Sequence, residues 1–433
     1  MNLTADAGKT LLVDGPASVT LVSGRVEVFG YMLKQTEKVV IRDGKRMPFA
    51  VKEKATFELA LGENSKVEEV EGDTIPQSWI EASEKLASSK TRPATAVVLG
   101  TVDSGKTSFC TYLINRLLSN GQRVAIIDGD IGQSDIGPPC TIAYALPSKP
   151  VTDLFNLEAD NAYFVGVTSP SKSVEKTISG LVSLKNEVFS IKPDFIIVNT
   201  DGWVYGEEAV NYKVKLVEKI SPDQIFCIQQ DEILTPLSSS LKNFEIVTID
   251  SPPAIKQRSR EKRRNLRELG YIKYLKNAKV QSIPISWVKI ESGELVDLNK
   301  AFVAAKNEKE ICSLLGFKPL HTAEFKDKIC VVASRGSWVD FEKIRKTEET
   351  LGKKVTVTWK GDEEGLLTAL YNEARKFLGI GVVREIDYGR KIMKILTPVS
   401  SAISTVTTGK VRLDKNLKEI ITAQEETKVQ LKV

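Results

Sequence analysis

Histidine is nearly missing from this 433-residue chain: His321 stands alone. A single imidazole argues against a histidine-built metal centre and against a Ser-His-Asp triad, so His321 is read as structural. Cysteine is scarce and scattered. Cys110, Cys140, Cys227, Cys312 and Cys330 are odd in number and contain no Cys-x-x-Cys pair, which argues against a disulfide framework and a zinc site alike. No apolar run approaches the ~20 residues that span a bilayer. The opening MNLTADAGKT lacks the charged-then-apolar pattern of a secretory signal. The expected location is the cytosol, or the nucleus if the cell has one, with no membrane partner. Internal repeats and low-complexity tracts are missing too. So is a strong charge bias: a net charge of +5 over this length permits a polyanionic partner without requiring one.

What is present is an ordinary globular composition, long enough for two or three domains with sizeable cores. Between residues 11 and 61 short apolar runs (VTLV, VEVFG, KVVI, TFELAL) are broken by Gly24, Gly30 and Asp43-Gly44. This predicts a small β-sandwich or barrel within an N-terminal domain over 1–90. IPQSWIEASEKLASS places Trp79, Ile80, Ser83, Leu86 and Ala87 at helical spacing, and Thr91-Arg92-Pro93 reads as a junction. Over 91–280 the pattern becomes strand–helix alternation. TAVVLG, RVAIIDGD, DFIIVNT and IFCIQ read as buried strands, which predicts an α/β domain with a parallel sheet flanked by helices. Over 281–433 the reading is mixed and mostly β, with IPISWVKI, KICVVAS, KVTVTWK and KIMKILTP as strands and EEGLLTALYNEARKFLG as a helix.

The sharpest motif is GTVDSGKT at residues 100–107, which matches G-x-x-x-x-G-K-[ST] after a buried strand and before a helix. Gly100 and Gly105 let the loop curl so that backbone N–H groups face phosphate oxygens, and the helix N-terminus adds partial positive charge. Lys106 is placed to reach the β- and γ-phosphates, and the Thr107 hydroxyl to ligate Mg²⁺. Gly100, Thr101, Val102, Asp103, Ser104, Gly105, Lys106, Thr107 and Ser108 are the expected nucleotide-binding residues. The motif establishes nucleotide binding, not the fate of the phosphate. RVAIIDGDIGQSDIG then sets Asp128 and Asp130 on one face at the end of the next strand. One carboxylate can hold Mg²⁺ with Thr107 while the other takes the proton of an attacking hydroxyl. A nucleotide switch protein would also place acid here.

These segments resemble the polynucleotide 5′-hydroxyl kinases related to the kinase subunit of the mRNA 3′-end cleavage factor and to the pre-ribosomal-RNA-processing kinase. GTVDSGKTSFCTYLIN and DGDIGQSDIGPP are similar to that family's Walker A and D-x-D-x-G-Q elements. The resemblance makes Asp130 the general base, Lys106 the phosphate lysine and Thr107 the magnesium hydroxyl. FVGVTSP (164–170) resembles the family's clasp strand, and VNTDGWV (198–204) the segment carrying its aromatic platform. The implied contacts to the acceptor strand are Thr168, Ser169, Trp203 and Gln133. Stacking on Trp203 would tolerate any base, worth ~1–3 kcal/mol. SGRVEVFGYML resembles the N-terminal strand pair that contacts the nucleotide base. The first acid, Asp128, falls where relatives vary, and the match is loosest toward the C-terminus.

Seven cations crowd residues 256–267: Lys256, Arg258, Arg260, Lys262, Arg263, Arg264 and Arg267, opposed there by Glu261. Helical spacing puts Arg260, Arg264 and Arg267 on one face. The family has an arginine-bearing lid at this place, and the resemblance implies Arg260 and Arg264 as its catalytic cations, to within a turn in register. A solvated charged face or a general RNA-binding patch is the plainer alternative. The expected function is transfer of the γ-phosphate of ATP, with Mg²⁺, to the 5′-hydroxyl of single-stranded or duplex-end RNA, or of DNA, beside RNA-processing protein partners. An ATP-binding scaffold of an RNA-processing complex is the alternative. A guanine-specific switch is disfavoured because VNTD (198–201) lacks the lysine of Asn-Lys-x-Asp.

Overall fold

Strands dominate the first ninety residues because β-branched residues alternate there with polar ones and turns are supplied by Gly and Asp. The computed structural model describes residues 1–229, 231–292 and 308–420. β1 (Asn2–Ala5), β2 (Lys9–Asp14), β3 (Ala17–Val28), β4 (Tyr31–Met32), β5 (Lys38–Ile41), β6 (Arg46–Leu61) and β7 (Val67–Glu71) form one seven-stranded antiparallel sheet. The long strands β3 and β6 each take different partners along their length, and their register shifts at Leu21/Ser23, Ser23/Arg25 and Arg25/Val26. Such bulges bend a strand, so β3 and β6 serve one bent sheet where the sequence predicts a small sandwich or barrel. Phe49 and Phe57 meet edge-to-face in its core at 6.1 Å.

Helix α1 (Gln77–Ala87) buries Trp79, Ala82, Ser83 and Leu86, the helical stripe expected from spacing. The indole N–H of Trp79 donates to the Asp250 carbonyl at 2.9 Å. There follow β8 (Ala94–Gly100), α2 (Lys106–Ser119), β9 (Val124–Gly129), β10 (Thr141–Ala145), β11 (Asn161–Phe164), α3 (Val174–Ile191), β12 (Phe195–Thr200), α4 (Glu207–Ile220), β13 (Gln224–Gln229), α5 (Thr235–Ser240), β14 (Ile246–Asp250) and α6 (Arg260–Tyr274). The sheet order is β11-β10-β9-β12-β8-β13-β14. Its five central and right-hand strands are parallel, as expected, but β10 pairs antiparallel with both β9 and β11. No helix separates β9 from β10, so no parallel crossover can form. Only Phe164 of the expected clasp strand lies in β11; residues 165–169 are loop, and Pro170 opens a short 3-10 turn. Strand β8 is fully buried between β12 and β13, which opens a crevice at the carboxyl ends of β8, β9 and β12.

Two compact units divide the chain, Met1–Gly270 and Tyr271–Val433. The sheet of residues 1–90 and the α/β sheet thus share one unit, and the division falls inside α6. In the second unit β15 (Lys279–Pro284), β16 (Lys289–Ser292), β20 (Leu366–Tyr371), β21 (Phe377–Asp387), β22 (Ile392–Thr397) and β23 (Thr405–Arg412) form a mixed sheet, β15-β22-β21-β20-β23-β16. A smaller sheet holds β17 (His321–Glu324), β18 (Lys328–Ala333) and β19 (Lys354–Trp359), with helices α7 (Glu308–Leu315) and α8 (Phe341–Leu351). β18 alternates in the expected way: Cys330 joins the core of the larger sheet, while Ile329, Val331 and Ala333 pack with Ile311, Leu315 and Ile344 of the helices. The helix read over EEGLLTALYNEARKFLG is not formed. LLTALY is β20, buried at every position, and a turn through Arg375 (φ 58°) reverses the chain into β21.

Candidate active site

Residues 100–107 link β8 to α2 as a tight loop. Asp103 (φ 56°) and Gly105 (φ 101°) supply its left-handed turns. No side chain caps α2, so the N–H groups of its first turn have no intrahelical acceptor. The loop is held from below by the 198–204 segment: a Cβ on Gly202 would stand 2.6 Å from the Val102 nitrogen, and only glycine permits that approach. Lys106 is buried and donates to the Thr101 carbonyl at 2.6 Å. Burial lowers its pKa to about 8, against the opposing pull of Asp130.

Val102, Asp103, Ser104, Gly105, Lys106, Thr107 and Ser108 line one pocket together with Asp130 and Gln133. Its far wall comes from the N-terminal sheet (Leu12, Phe29, Arg42, Lys45, Arg46 and Pro48), and its roof from Pro252, Ala254, Ile255, Lys256, Arg258, Leu266 and Arg267. The apolar part of this wall suits a flat base, and the cations suit phosphates.

Asp130 accepts the N–H groups of Gly132 (3.1 Å) and Gln133 (3.0 Å) on Oδ1; Oδ2 accepts no bond among the described residues. Burial raises its pKa above the usual carboxylate range, Asp201 adds to the rise, and Lys106 opposes it. Asp128 is placed differently from expectation. It is fully buried, does not line the pocket, and accepts from Asp135 N (2.7 Å), Ile136 N (3.3 Å), Asp130 N (3.3 Å) and Asn199 Nδ2 (3.0 Å). With these bonds it shapes the 129–136 loop instead of facing a ligand. Burial, then Asp135 and Asp130, push its pKa up to about 7. Asn199 also reaches Thr107 Oγ1 at 3.5 Å, and its buried Oδ1 has no partner among the described residues. An unsatisfied acceptor beside Thr107 fits the water shell of a hydrated cation. No group of three His, Cys, Asp or Glu side chains could hold a metal among the described residues. The donor set, one hydroxyl and one carboxylate, fits Mg²⁺, which keeps waters and shares phosphate oxygens.

The arginines on the pocket are not the two named from the resemblance, but they lie within the one turn of register it allowed. Arg258 binds Asp103 of the phosphate loop through Nε (2.8 Å), Nη2 (2.5 Å) and its backbone N–H (2.9 Å), and Arg263 adds a contact at 3.2 Å. Arg258 and Arg267 line the pocket; Arg260 and Arg264 do not. The reason is which face of α6 is buried. Leu266 and Gly270 turn inward, Gly270 against Pro139, and at 100° per residue this brings 263 and 267 toward the pocket side and carries 264 away, whereas Arg260, close to Arg267 in angle, lies about two turns nearer the helix start. Arg264 instead lies 3.8 Å from Glu268, and Arg260 is exposed. Gln133 ties the lid down, donating to the Arg263 carbonyl at 3.0 Å.

Trp203 is half-buried and stacks on Tyr212 (5.5 Å, 24°), while Asp201 accepts from Trp203 N, Tyr212 Oη and the buried Lys213. The Thr168 carbonyl abuts Gly132 of the acidic loop, and Ser169 Oγ bonds Ser171 Oγ at 2.8 Å. Thr168, Ser169 and Trp203 lie off the nucleotide pocket; Gln133 lies on it.

One group of residues escaped the sequence reading altogether. Arg42 donates to Asp135 (2.6 Å) and to both oxygens of Asp153 (2.7 and 2.8 Å), and Lys45 donates to Asp135 (2.9 Å). Burial works against the charge on Asp135, but Lys45 and Arg42 outweigh it and hold the carboxyl well below its usual range. Asp14 is likewise held by Arg46 and Lys256. The Asp43-Gly44 turn was the one visible hint that the 42–46 loop had a fixed shape.

The family described as mRNA cleavage and polyadenylation factor CLP1 P-loop matches residues 100–277. A polyribonucleotide 5′-hydroxyl-kinase of Pyrococcus furiosus is 30% identical over 349 residues, covering 80% of this chain and 95% of the relative. One from Methanocaldococcus jannaschii is 29% identical, covering 80% and 94%. The polyribonucleotide 5′-hydroxyl-kinase Clp1 of Xenopus tropicalis is 24% identical, covering 88% and 86%. Among solved structures, wild-type Clp1p in complex with Pcf11p (454–563) superposes with a TM-score of 0.66 at 14% identity, covering 95% of this chain and 97% of that one. No described helix is long and apolar enough to cross a membrane.

Proposed function

The chain belongs to the polyribonucleotide 5′-hydroxyl-kinase family, and we propose that it transfers the γ-phosphate of ATP to the 5′-hydroxyl of RNA with Asp130 as base. One observation carries the assignment: the Oδ2 of the half-buried Asp130, which accepts no bond among the described residues, shares a pocket with the phosphate-loop lysine. A raised carboxylate pKa makes Asp130 a better proton acceptor for an alcohol. Its Oδ2 takes the 5′-hydroxyl proton as that oxygen bonds the γ-phosphorus and the bond to the β–γ bridging oxygen breaks, leaving ADP.

Lys106 and the loop N–H groups bind the departing charge, and Arg258 and Arg267 face the same pocket from α6. Thr107 and Asp130 would hold Mg²⁺, which supplies further neutralisation of phosphate charge. Trp203, fixed by Tyr212 and Asp201, offers a ring on which the terminal base of the acceptor stacks, and Thr168 and Ser169 are the further acceptor contacts in this reading. Protein partners in RNA processing, and a cytosolic or nuclear location, belong to the same proposal; the first draws on the Pcf11p complex of the solved fold neighbour.

The test is phosphorylation of a 5′-hydroxyl RNA by γ-labelled ATP. The wild type is expected to label the 5′ end, and Asp130→Asn to lose ~10²–10⁴-fold in kcat while still binding ATP. Nucleotide bound without any transfer by the wild type would instead identify a scaffold.

A further inference from the structure

One lysine of the first unit is sealed from water altogether. The Lys213 side chain is 0% exposed, and its partner Asp201 is 5% exposed. Lysine is almost never fully buried unless it is paired. A buried ion pair adds little stability that apolar side chains of the same volume would not, so what this pair orients matters more than what it adds. Asp201 stands just past the carboxyl end of β12. It lies between β9, which leads to Asp130, and β8, which leads into the phosphate loop. Tyr212 and Lys213 are neighbours on α4.

The two oxygens of Asp201 have separate partners. Oδ1 accepts the Trp203 N–H at 2.9 Å, and Oδ2 accepts the Tyr212 hydroxyl at 2.8 Å and Lys213 Nζ at 2.9 Å. Lys213 also donates to the Asp201 carbonyl at 2.9 Å and lies 4.9 Å from the centre of the Tyr212 ring. That ring is the one stacked on the Trp203 indole. Burial, then Asp201, push the Tyr212 pKa well above the usual phenol value, so its hydroxyl stays a donor. The backbone is therefore held on both sides of Gly202, by Lys213 at the 201 carbonyl and by Asp201 at the 203 N–H. Gly202 itself lies against Val102 of the phosphate loop. An ammonium suits this place because it has three donors and no acceptor, and can grip the carbonyl and the carboxylate of one residue together. It also balances a charge beside the base: burial raises the Asp130 pKa most, Asp201 adds to the rise, and Lys106 and Lys213 oppose it.

We propose that Lys213 is a positioning residue for the acceptor strand, fixing the Trp203 ring through Asp201 and Tyr212. This rests on the reading of Trp203 as the acceptor platform. The test is a fluorescence-anisotropy titration of a labelled 5′-hydroxyl RNA without ATP, so that no transfer occurs. Trp203→Ala should bind at least about fivefold more weakly than the wild type. Lys213→Met, close in volume but uncharged, should lose about fivefold. In the Trp203→Ala background the same change should alter affinity by less than about twofold, because it acts through the missing ring. Tyr212→Phe keeps the ring and alters no charge. It should weaken binding about two- to threefold, again only when Trp203 is present, and it decides the matter if Lys213→Met does not fold. ATP affinity, titrated separately, should stay within about threefold throughout. Additive losses in the double variants, or wild-type RNA affinity in both Lys213→Met and Tyr212→Phe, overturn the proposal and leave the platform reading standing. Loss of ATP affinity in step with RNA affinity also overturns it, since the pair would then hold the nucleotide site and not the platform. Wild-type RNA affinity in Trp203→Ala removes the platform reading and this proposal with it.

Discussion

Lys106 shows how a single buried charge sets a measurable property. Burial brings its pKa to about 8. A triphosphate beside the ammonium would favour the charged form and raise that value. Binding above pH 8 must then take up a proton, and linkage requires affinity to fall as pH rises from about 8 toward the pKa of the bound state. Below pH 8 the lysine is already charged, and this dependence vanishes. Calorimetric titration of ATP in buffers of different ionisation enthalpy should detect proton uptake near pH 9 and none assignable to Lys106 near pH 7. Trp203→Ala acts on the other substrate. Loss of the ring stacked on Tyr212 should weaken acceptor binding by ~1–3 kcal/mol, seen as a raised KM for RNA with an unchanged ATP affinity. Residues of this kind were legible because the motifs that carry them are contiguous. Asp128 was legible as an acid but not as a loop-former, since its partners Asp135, Ile136 and Asn199 are donors that only the fold brings together.

At the scale of elements, helical spacing put Arg260, Arg264 and Arg267 on one face of a helix, which the structure forms over 260–274, but did not tell which side of it is inward. Glycine at 270 settles that: it lets Pro139 approach, and with Leu266 it fixes the rotation of α6. The arginine facing the phosphate loop from outside the helix, Arg258, carries no periodic signal at all. Steady-state kinetics should therefore separate the cations. Arg258→Ala and Arg267→Ala should each lower kcat/KM by roughly 10–100-fold, the range of a lost hydrogen bond to a charged group, whereas Arg260→Ala and Arg264→Ala should stay within about threefold. The reverse ranking would restore the register read from spacing. The strand LLTALY was misread for a different reason. A fully buried strand has no alternation to show, and its apolar run has the same appearance as a buried helix. The antiparallel β10–β11 pair was missed because the sequence shows strand runs but not their direction.

For the first unit as a whole, the phosphate loop is complete only when the N-terminal sheet closes the pocket, and Arg42 is the main tie. It reaches Asp135 and Asp153 across 93 and 111 residues of chain, a separation that no local pattern in the sequence can report. Its guanidinium is mostly buried, as are both carboxylates. Arg42→Ala leaves Asp153 without this partner and Asp135 with Lys45 alone, a loss on the order of 3–5 kcal/mol for a broken buried pair. For a unit of this size that corresponds to a melting transition lower by on the order of 10 °C. Scanning calorimetry should show the shift, and Arg42→Lys, which keeps the charge but not the fork, should recover part of it. The sign of the pH dependence follows from Asp135, whose folded pKa lies below its unfolded value near 3.8. Stability from the clamp is full above about pH 4 and fades as pH falls through the folded pKa. The gap between the wild type and Arg42→Ala should therefore be constant from neutral pH down to about 5 and narrow below 4. A gap that widens with acid would mean that something other than these carboxylates holds the N-terminal sheet over the pocket.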